Sequence, residues 1–323
     1  MRALICDDYG GVDALRVGEL PDPEVKPGTV LVRVASAVAN FADTLMVAGR
    51  YQVRPEPPFA PGYELAGVVV EAGEGSGFEP GNRVCGFIPH GAMAELALIP
   101  AHNCDLLPDS LGFDEAASLP GTYGTSYHAL VDRAQLQDGE TLLVLGAAGG
   151  VGLAAVQIGK ALGARVVAAV SSDAKADLAA SSGADTVIRY DQEELRAGID
   201  RVTGGEGVDV VFDAVGGDAT EAALRSTRWN GRLLVVGFAA GDIPRIPLNL
   251  PLLKGNALVG VFWGRFTNEE PERSMENRAR IIDWAANRVV VPQIGHRFTL
   301  DEGAVALGMV ANREAVGRVV VKP

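Results

Sequence analysis

Three glycines spaced three residues apart constrain the fold of this chain more than any other feature of its sequence. Gly146, Gly149 and Gly152 occur in LVLGAAGGVGLAAVQIGK (143–160), directly after a strand-like segment and at the start of a helix-like one. A strand, a glycine turn and a helix in this order can cradle a phosphate, because a helix N-terminus offers free N–H groups and glycine permits close approach of the backbone. The spacing differs from the commoner G-x-G-x-x-G, and a tight turn whose glycines serve only packing is the alternative interpretation.

The segments after the glycines continue the alternation of strand-like and helix-like sequence. A second strand-like run begins about 20 residues further on, as expected for a dinucleotide-binding βαβ unit. Continuous Val, Ile and Leu runs are typical of strands buried on both faces, so the alternation predicts a doubly wound parallel sheet. The predicted strands of this sheet are 141–146, 164–170, 185–190, 208–216 and 231–238.

The rest of the chain has a different pattern. Residues 1–120 contain short β-type runs interrupted by Gly and Pro, which indicates an irregular, largely antiparallel β domain. A charged helix is expected at about 269–288, and the strand-like GRVVVKP at the end is expected to rejoin the first domain. A chain of 323 residues is also long for a single core. We therefore predict an α/β protein with a β domain (1–120 and 265–323) and a Rossmann-type domain (121–264).

Charge and cysteine content argue against several classes of partner. The formal net charge of −13 disfavours nucleic acid and anionic membranes, because both select clustered Lys and Arg. Three cysteines without a CxxC pair provide neither a disulfide framework nor a thiolate metal cage. We find no signal-peptide pattern and no apolar run of about 18 residues, so we expect a cytosolic protein.

The end of the second predicted strand indicates which nicotinamide cofactor the site prefers. An NAD-binding site places an Asp or Glu there for the ribose 2′-hydroxyl. In this chain Ser171 and Ser172 occupy that place and Lys175 follows, and hydroxyl and ammonium groups suit a 2′-phosphate. Asp173 is close enough to weaken this interpretation, and the serines could instead cap the next helix, a role compatible with phosphate binding. We predict NADPH rather than NADH.

Over essentially its whole length the chain resembles the zinc-free quinone oxidoreductases, the ζ-crystallin-like branch of the medium-chain dehydrogenases/reductases. The resemblance implies a GroES-like β domain, a Rossmann domain that binds NADPH, and a homodimer that pairs its Rossmann sheets. The residues and segments that carry it are Gly139, Glu140, Leu143, AAGGVG (147–152), Gln157, Lys160, GYELAGVVVEAGEG (62–75), PGNRV (80–84) and the terminal GRVVVKP.

The resemblance also implies a set of site residues. Asn40 and Asp43 match an NxxD pair that lines the family's nicotinamide pocket, and Tyr51 matches a tyrosine that borders the substrate cleft. We predict these three as catalytic. Lys175 and Arg313 match basic residues near the 2′-phosphate. The other implied cofactor-binding residues are Thr125, Gly149, Gly150, Val151, Gly152, Ser171, Ser172, Tyr190, Gly237, Phe238, Phe262, Trp263 and Gly264.

Several of these residues have a plain structural alternative. Tyr190 is expected to end the third Rossmann strand, where it either stacks on adenine or is an ordinary strand aromatic. Gly237 and Phe238 are expected to close the fifth strand. The pair Phe262 and Trp263 either borders the cofactor or belongs to the core or a dimer interface.

Zinc-dependent relatives of this family differ from the chain at the metal-binding positions. They have Gly-His-Glu where this chain has Gly62-Tyr63-Glu64, and a ligand cysteine where it has Asn40. Tyrosine and asparagine are not credible zinc ligands, and the four-cysteine lobe of those relatives is missing. The 4 histidines have no ligand-like spacing. We therefore expect no metal.

Without zinc, a reductase lacks a Lewis acid that would polarise a carbonyl group. Hydride transfer from NADPH then requires an electron-poor small molecule, which we expect to be a quinone, with an enone or enoyl thioester as the alternative. The proton could come from Tyr51 or from bulk water. A non-catalytic NADPH-binding sensor or structural protein is the alternative from another class. A serine hydrolase is disfavoured, because no G-x-S-x-G motif occurs.

Overall fold

The structure, a computed structural model, describes residues 1–323 and divides into two units. Unit 1 combines Met1–Gly121 with Glu270–Pro323, and unit 2 is Thr122–Glu269. The α/β class, with an irregular β region and a doubly wound parallel sheet, is confirmed. No helix is long and apolar enough to cross a lipid bilayer.

Fifteen strands and eleven α-helices follow one another along the chain. The strands are β1 (Arg2–Ile5), β2 (Arg16–Glu19), β3 (Thr29–Ala39), β4 (Glu64–Ala72), β5 (Arg83–Phe87), β6 (Leu96–Pro100), β7 (Cys104–Leu106), β8 (Thr141–Leu145), β9 (Arg165–Val170), β10 (Thr186–Arg189), β11 (Val208–Asp213), β12 (Thr227–Val235), β13 (Ala257–Gly260), β14 (Ile294–Thr299) and β15 (Arg318–Lys322). The α-helices are α1 (Phe41–Val47), α2 (Phe113–Ala117), α3 (Gly124–Tyr127), α4 (Gly150–Ala161), α5 (Asp173–Ser181), α6 (Leu195–Thr203), α7 (Asp218–Arg225), α8 (Asn249–Lys254), α9 (Trp263–Glu269), α10 (Pro271–Ala286) and α11 (Gly303–Ala311).

Unit 1 is built around a mostly antiparallel sheet. Its strand order is β14-β15-β3-β4-β5-β7, and β6 also pairs with β3. The C-terminal strand β15 lies antiparallel to β3 with Val320 opposite Val38, so the end of the chain belongs to the sheet of unit 1. Apolar side chains from both parts of unit 1, among them Val32, Leu65 and Val321, form one buried core. This core fixes β3, β4 and β15 relative to one another, and their residues supply the polar cluster described below.

Unit 2 is built around a parallel sheet of order β10-β9-β8-β11-β12-β13. Every residue of β8, TLLVL, is buried, as expected for a strand covered on both faces. The chain runs outward from β8 in one direction through β9 and β10, and in the other through β11 and the strands beyond it. The strand order therefore reverses between β8 and β11, and ligands of such sheets bind at this switch point, beyond the carboxyl ends of the strands.

The boundary between the units falls later than the sequence predicts. Unit 2 continues to Glu269 rather than Gly264, because α9 packs within it. Phe266 of α9 stacks on His128 with ring centroids 3.9 Å apart, and both side chains are buried. His128 also pairs with the buried Asp132 at 2.8 Å.

Four of the predicted strands end early, β8 and β10 by one residue and β11 and β12 by three. β12 ends at Val235, so Gly237 and Phe238 lie in the following loop and do not close the fifth strand. The backbone N–H of Gly237 donates to the carbonyl of Asp213 at 3.3 Å, so the chain turns over the end of β11 instead of continuing the ladder. Tyr190 likewise follows β10 rather than ending it.

Candidate active site

The three glycines of the turn after β8 have different structural roles. Gly146 adopts a left-handed φ of 68°, which favours glycine. A Cβ on Gly152 would lie 2.2 Å from the carbonyl oxygen of Gly146, so helix and turn could not pack as closely with any side chain there. Gly149 is exposed, and a Cβ on it would be 3.3 Å from the same oxygen. Two of the glycines thus shape the turn, while Gly149 leaves the backbone at the helix start accessible.

The N-terminus of α4 lacks a cap from the chain itself. Gly149 is its N-cap residue and has no side chain, and no acidic residue occurs in the first turn. By contrast, α5 is capped by Ser172, and α7 has Asp218 and Glu221 in its first turn. The first N–H groups of a helix have no intrahelical partner and favour an anion. The start of α4 at the switch point therefore fits a phosphate group.

A buried aspartate that the sequence analysis missed orders the neighbouring strand end. Asp213, the last residue of β11, is 3% exposed. Its Oδ1 accepts the N–H groups of Val215 and Gly216, both at 2.9 Å, and its Oδ2 accepts the Thr220 hydroxyl at 2.5 Å. A Cβ on Gly146 would lie 3.0 Å from Val215, so this loop packs against the glycine turn. The only feature of the sequence that points to Asp213 is its position, as a charged residue at the end of an apolar run.

The residues predicted to contact a 2′-phosphate lie together at the end of β9. Ser172 caps α5, since its hydroxyl oxygen accepts the N–H of Lys175 at 3.4 Å, so the capping alternative applies to this serine. Ser171 is half-buried, as is Lys175. Tyr190 is 42% exposed at the end of the adjacent strand β10. The structure thus groups these four residues at one edge of unit 2.

The aromatic residues near α9 differ in exposure. Phe262 is 58% exposed, whereas Trp263 is only 9% exposed. A Cβ on Gly124 would lie 2.9 Å from the indole nitrogen of Trp263, so Trp263 packs into unit 2 against the helix that carries Thr125. This packing supports the core alternative for Trp263.

Phe238 lies in the loop after β12 and Gly264 in the first turn of α9, and both are exposed. A Cβ on Gly216 would lie 2.9 Å from the ring of Phe238, so the ring covers the loop after β11. Gly237 is half-buried in the same loop.

Unit 1 contains a buried polar cluster formed by Asn40, Glu64 and Arg318. One Nη of Arg318 donates to Asn40 Oδ1 at 2.9 Å and to Glu64 Oε2 at 3.1 Å. Asn40 Nδ2 donates to the same Glu64 oxygen at 2.9 Å. Glu64 Oε1 accepts the N–H of Gly121 at 2.8 Å, and Arg318 Nε donates to the Ser118 hydroxyl at 3.4 Å. The amide of Asn40 is therefore held in one orientation by a buried ion pair.

Asp43 ties two segments of unit 1 together. Its carboxylate is fully buried and accepts the N–H groups of Asn40 at 2.8 Å and of Gly62 at 3.2 Å. Burial is the main reason why the pKa of Asp43 rises to about 7, and the nearby charge of Glu64 adds to it. Both carboxylate oxygens thus accept backbone N–H groups, and Asp43 holds the start of α1 against the segment that leads into β4.

Tyr51 is half-buried and packs against an apolar cluster that includes Met46, Val47 and Phe59. Burial, followed by the charge of Asp43, raises the pKa of the Tyr51 phenol. The hydroxyl therefore keeps its proton at neutral pH and can donate it. Tyr63 is a second half-buried phenol in this region, and its pKa is raised well above the usual value by burial and by Glu64.

Arg313 is a predicted cofactor-binding residue of unit 1 that belongs neither to the polar cluster nor to the surroundings of Asp43 and Tyr51. It follows α11 in an exposed turn and has a left-handed φ of 62°. Lys175, its predicted partner at the 2′-phosphate, belongs to unit 2. The two basic residues predicted to bind the 2′-phosphate therefore belong to different units.

The residues of the polar cluster do not fit a zinc ion. Nowhere in the chain do three or more His, Cys, Asp or Glu side chains group in a way that could hold a metal. Glu64, whose carboxylate accepts the side-chain amide of Asn40, already binds the guanidinium of Arg318, and both oxygens of the neighbouring Asp43 accept backbone N–H groups. A divalent cation at this place would be repelled by Arg318, and asparagine and tyrosine are poor zinc ligands.

Two family models match the chain, one in each half. The alcohol dehydrogenase GroES-like domain matches residues 26–109, and the zinc-binding dehydrogenase model matches residues 150–279. The first lies in unit 1, and the second covers most of unit 2. The two units therefore define a dehydrogenase/reductase of the alcohol dehydrogenase type.

Similarity to individual proteins narrows the class from enzymes of the alcohol dehydrogenase type to one branch of them. The bovine (Bos taurus) quinone oxidoreductase-like protein 2 is 38% identical over 322 residues, which is 99% of this chain and 92% of that protein. A mycobacterial protein solved in complex with NADPH superposes with a TM-score of 0.93 at 30% identity and full coverage of both chains. Escherichia coli quinone oxidoreductase, also solved with NADPH, gives a TM-score of 0.92 at 26% identity, again over both whole chains.

The chain belongs to the quinone oxidoreductase branch of the medium-chain dehydrogenase/reductase superfamily. The resemblance drawn from its sequence motifs is thereby confirmed, and so is the division into a GroES-like part and a Rossmann part.

Proposed function

We propose that this protein is a zinc-independent reductase that transfers hydride from NADPH to a quinone. The observation that carries the proposal is the uncapped, glycine-lined start of α4 at the switch point of the parallel sheet. That site suits the diphosphate of a dinucleotide, and the relatives solved with NADPH support this assignment. The quinone rests on the names of the relatives alone.

In this proposal the diphosphate, the 2′-phosphate and the adenine of the cofactor have binding groups in unit 2. Gly150, Val151 and Gly152 bind the diphosphate through backbone N–H groups, while the N–H of Gly149 donates to the Gly146 carbonyl at 2.9 Å and its lack of a side chain lets the diphosphate approach. Ser171, Ser172 and Lys175 bind the 2′-phosphate through hydroxyl and ammonium groups. Tyr190 offers an exposed aromatic face at the same edge, which suits the adenine ring. Bound in this way, NADPH supplies the hydride.

The residues of unit 1 supply orientation and a proton. Asn40 is held by Arg318 and Glu64, so its amide is a fixed element of the site. Asp43 is fully buried, and we assign it a positioning role rather than contact with the acceptor. The Tyr51 hydroxyl keeps its proton at neutral pH and donates it to the oxygen of the reduced acceptor. The electron-poor acceptor needs no Lewis acid, since it accepts hydride without further polarisation.

We also propose a homodimer that forms at the free edge of the unit 2 sheet. β13 is the last strand in the sheet order and pairs only with β12. Exposed apolar side chains accompany this edge and the elements next to it, with Leu258 at 40%, Leu252 at 78% and Trp229 at 69% exposure. An unpaired strand with exposed apolar neighbours favours association with a second copy. Sedimentation should give twice the mass of the chain, and Leu258→Lys should give the monomer.

The proposed activity is tested by NADPH oxidation with protein that has been dialysed against EDTA. 1,4-Benzoquinone, cyclohexenone and crotonyl-CoA are compared as acceptors, and NADH replaces NADPH in a parallel series. Quinone-dependent oxidation that prefers NADPH and does not increase with added Zn²⁺ supports the proposal. Faster reduction of the enone or the thioester would instead assign the enzyme to that class of acceptor. Tight NADPH binding without turnover on any acceptor would contradict a catalytic function.

A further inference from the structure

Arg189 and Asp173 form an ion pair where the second and third parallel strands of unit 2 end. β9 ends at Val170 and β10 ends at Arg189, and these two residues are opposite each other in the parallel ladder. Asp173 is the first residue of α5. The Nη1 group of Arg189 donates to the carboxylate of Asp173, so the guanidinium connects the two strand ends.

A second carboxylate fixes the position of Arg189. Its Nε and Nη2 groups donate to the two carboxylate oxygens of Asp191 at 2.8 and 2.7 Å, a two-point contact that orients the guanidinium plane. The side chain of Arg189 is 15% exposed, whereas that of Asp173 is 88% exposed. Arg189 is thus a largely buried, pre-oriented cation, and Asp173 is an accessible carboxylate that it holds.

The place of this pair matters because the end of the second strand is where dinucleotide-binding sheets distinguish the two nicotinamide cofactors. A carboxylate there accepts a hydrogen bond from the ribose 2′-hydroxyl of NADH and repels the 2′-phosphate of NADPH. Asp173 is the only acidic residue in the segment 170–176, VSSDAKA. Without a partner, it would act as the acidic group of an NADH site.

We propose that Arg189 sets the cofactor preference of this enzyme by holding Asp173, which removes the carboxylate that would otherwise select NADH. The inference rests on the proposed function, since it concerns the cofactor of the same site. Arg189 acts through Asp173 and is a positioning residue. If it is removed, Asp173 and Asp191 both lose their cation at the edge where Ser171, Ser172 and Lys175 receive the 2′-phosphate.

The test compares cofactor binding in four proteins without any acceptor: the wild type, Arg189→Gln, Asp173→Asn and the double variant. Dissociation constants for NADPH and NADH are measured by fluorescence titration. Arg189→Gln should raise the ratio of the NADPH constant to the NADH constant about tenfold, the size expected for a charged group that loses its partner. The double variant should recover most of the wild-type ratio, because Asp173 is then neutral and only Asp191 has lost its cation.

Two outcomes would overturn the proposal. A double variant as impaired toward NADPH as Arg189→Gln alone would mean that Arg189 acts on the phosphate directly or through Asp191, and not through Asp173. A tenfold shift toward NADPH in Asp173→Asn would mean that Asp173 is already free to repel phosphate in the wild type. The second outcome keeps the test decisive if Arg189→Gln does not fold, because Asp173 is exposed and its substitution leaves the core intact.

Arg225→Gln is the matched control. Arg225 pairs with Glu221 on the surface of α7 in the same unit and lies in the last turn of that helix, so this variant makes the same change of charge away from the ends of β9 and β10. Its cofactor ratio should equal that of the wild type. Because no acceptor is used, the two proposals fail differently. If the wild type binds neither cofactor, the proposed function is wrong, whereas binding with an unchanged ratio in Arg189→Gln overturns only this inference.

Discussion

The two units hold their candidate functional residues in opposite ways. In unit 1, charged side chains that are fully or almost fully buried hold one another, as in the cluster of Asn40, Glu64 and Arg318. In unit 2, the glycines of the turn from Gly146 to Gly152 have no side chains, so the turn packs closely and backbone N–H groups at the start of α4 remain available as donors. A buried charged group is costly once its partner is lost, while a glycine turn is sensitive to added atoms.

This difference predicts different consequences of substitution. Substitutions in the unit 1 cluster should act first on folding, because each buried member forms hydrogen bonds with another away from bulk solvent. Changes in the unit 2 turn should separate into those that disturb packing and those that disturb ligand binding, because its glycines have separate roles.

The largest effect is expected for Arg318→Met. It leaves Glu64, which is fully buried, without its cation, and should lower the free energy of unfolding by about 3–5 kcal/mol. Chemical denaturation of the variant and the wild type measures the difference. Adding Glu64→Gln to Arg318→Met should recover part of the loss, because the uncompensated charge is then removed.

An exposed ion pair provides the matched control for Arg318→Met. Arg201→Gln breaks a surface pair with Glu193 and should change the free energy of unfolding by less than about 1 kcal/mol. A loss in Arg318→Met no larger than this control would show that the buried cluster is not a source of stability.

Tyr51→Phe tests whether unit 1 also contributes chemistry. If the phenol is the proton donor, turnover with a quinone should fall roughly a hundredfold, as expected for the loss of a general acid. Tyr9→Phe is the control, because Tyr9 packs in the same apolar cluster and its hydroxyl donates to the carbonyl of Pro55. Unchanged turnover in Tyr51→Phe would assign the proton to water.

Gly152→Ala and Gly149→Ala separate the two roles in the unit 2 turn. The methyl group of Gly152→Ala would lie 2.2 Å from a carbonyl oxygen, and overpacking of this kind costs about 1–3 kcal/mol of stability. The methyl group of Gly149→Ala has more room and is exposed, so the fold should persist while NADPH affinity decreases. Thermal melting and cofactor titration of both variants measure the two effects. Equal losses of stability would refute the division of roles.

The unit 2 site could be largely predicted from the sequence, because its residues form one contiguous stretch. Strand, turn and helix follow within 143–160, and the glycine spacing indicates the local geometry directly. The predicted ends of β8, β10, β11 and β12 are too late, since apolar character continues into the loops that follow these strands.

The unit 1 cluster could not be predicted in the same way. Asn40, Glu64 and Arg318 come from distant parts of the chain and meet only because β15 pairs with β3, next to β4. The sequence shows each of them as a single polar residue beside an apolar run. Asp173 was recognised as a complication, but its pairing with Arg189 depends on the register between β9 and β10, which no local pattern reveals.

A different kind of effect, on the pH dependence of stability, is expected from Asp43 in unit 1. Burial raises its pKa from 3.8 to about 7 in the folded protein. Between these values the folded state keeps a proton that the unfolded state has released, so stability falls as the pH rises through this window and is constant above it. One proton of difference between the folded and unfolded states corresponds to about 1.4 kcal/mol of stability per pH unit. Asp43→Asn should therefore have a flatter stability profile between pH 5 and 7 than the wild type, as measured by denaturation at each pH.

An exposed aspartate gives the opposite sign and serves as the control. Asp7 pairs with Arg16, which lowers its pKa, so its contribution is present above the usual carboxyl pKa and is lost only as the pH falls below it. Asp7→Asn should change the profile at the acid end and leave the slope between pH 5 and 7 as in the wild type. Parallel profiles for the wild type and Asp43→Asn in that window would mean that Asp43 is ionised in the folded protein. The two backbone N–H groups that it accepts would then outweigh its burial.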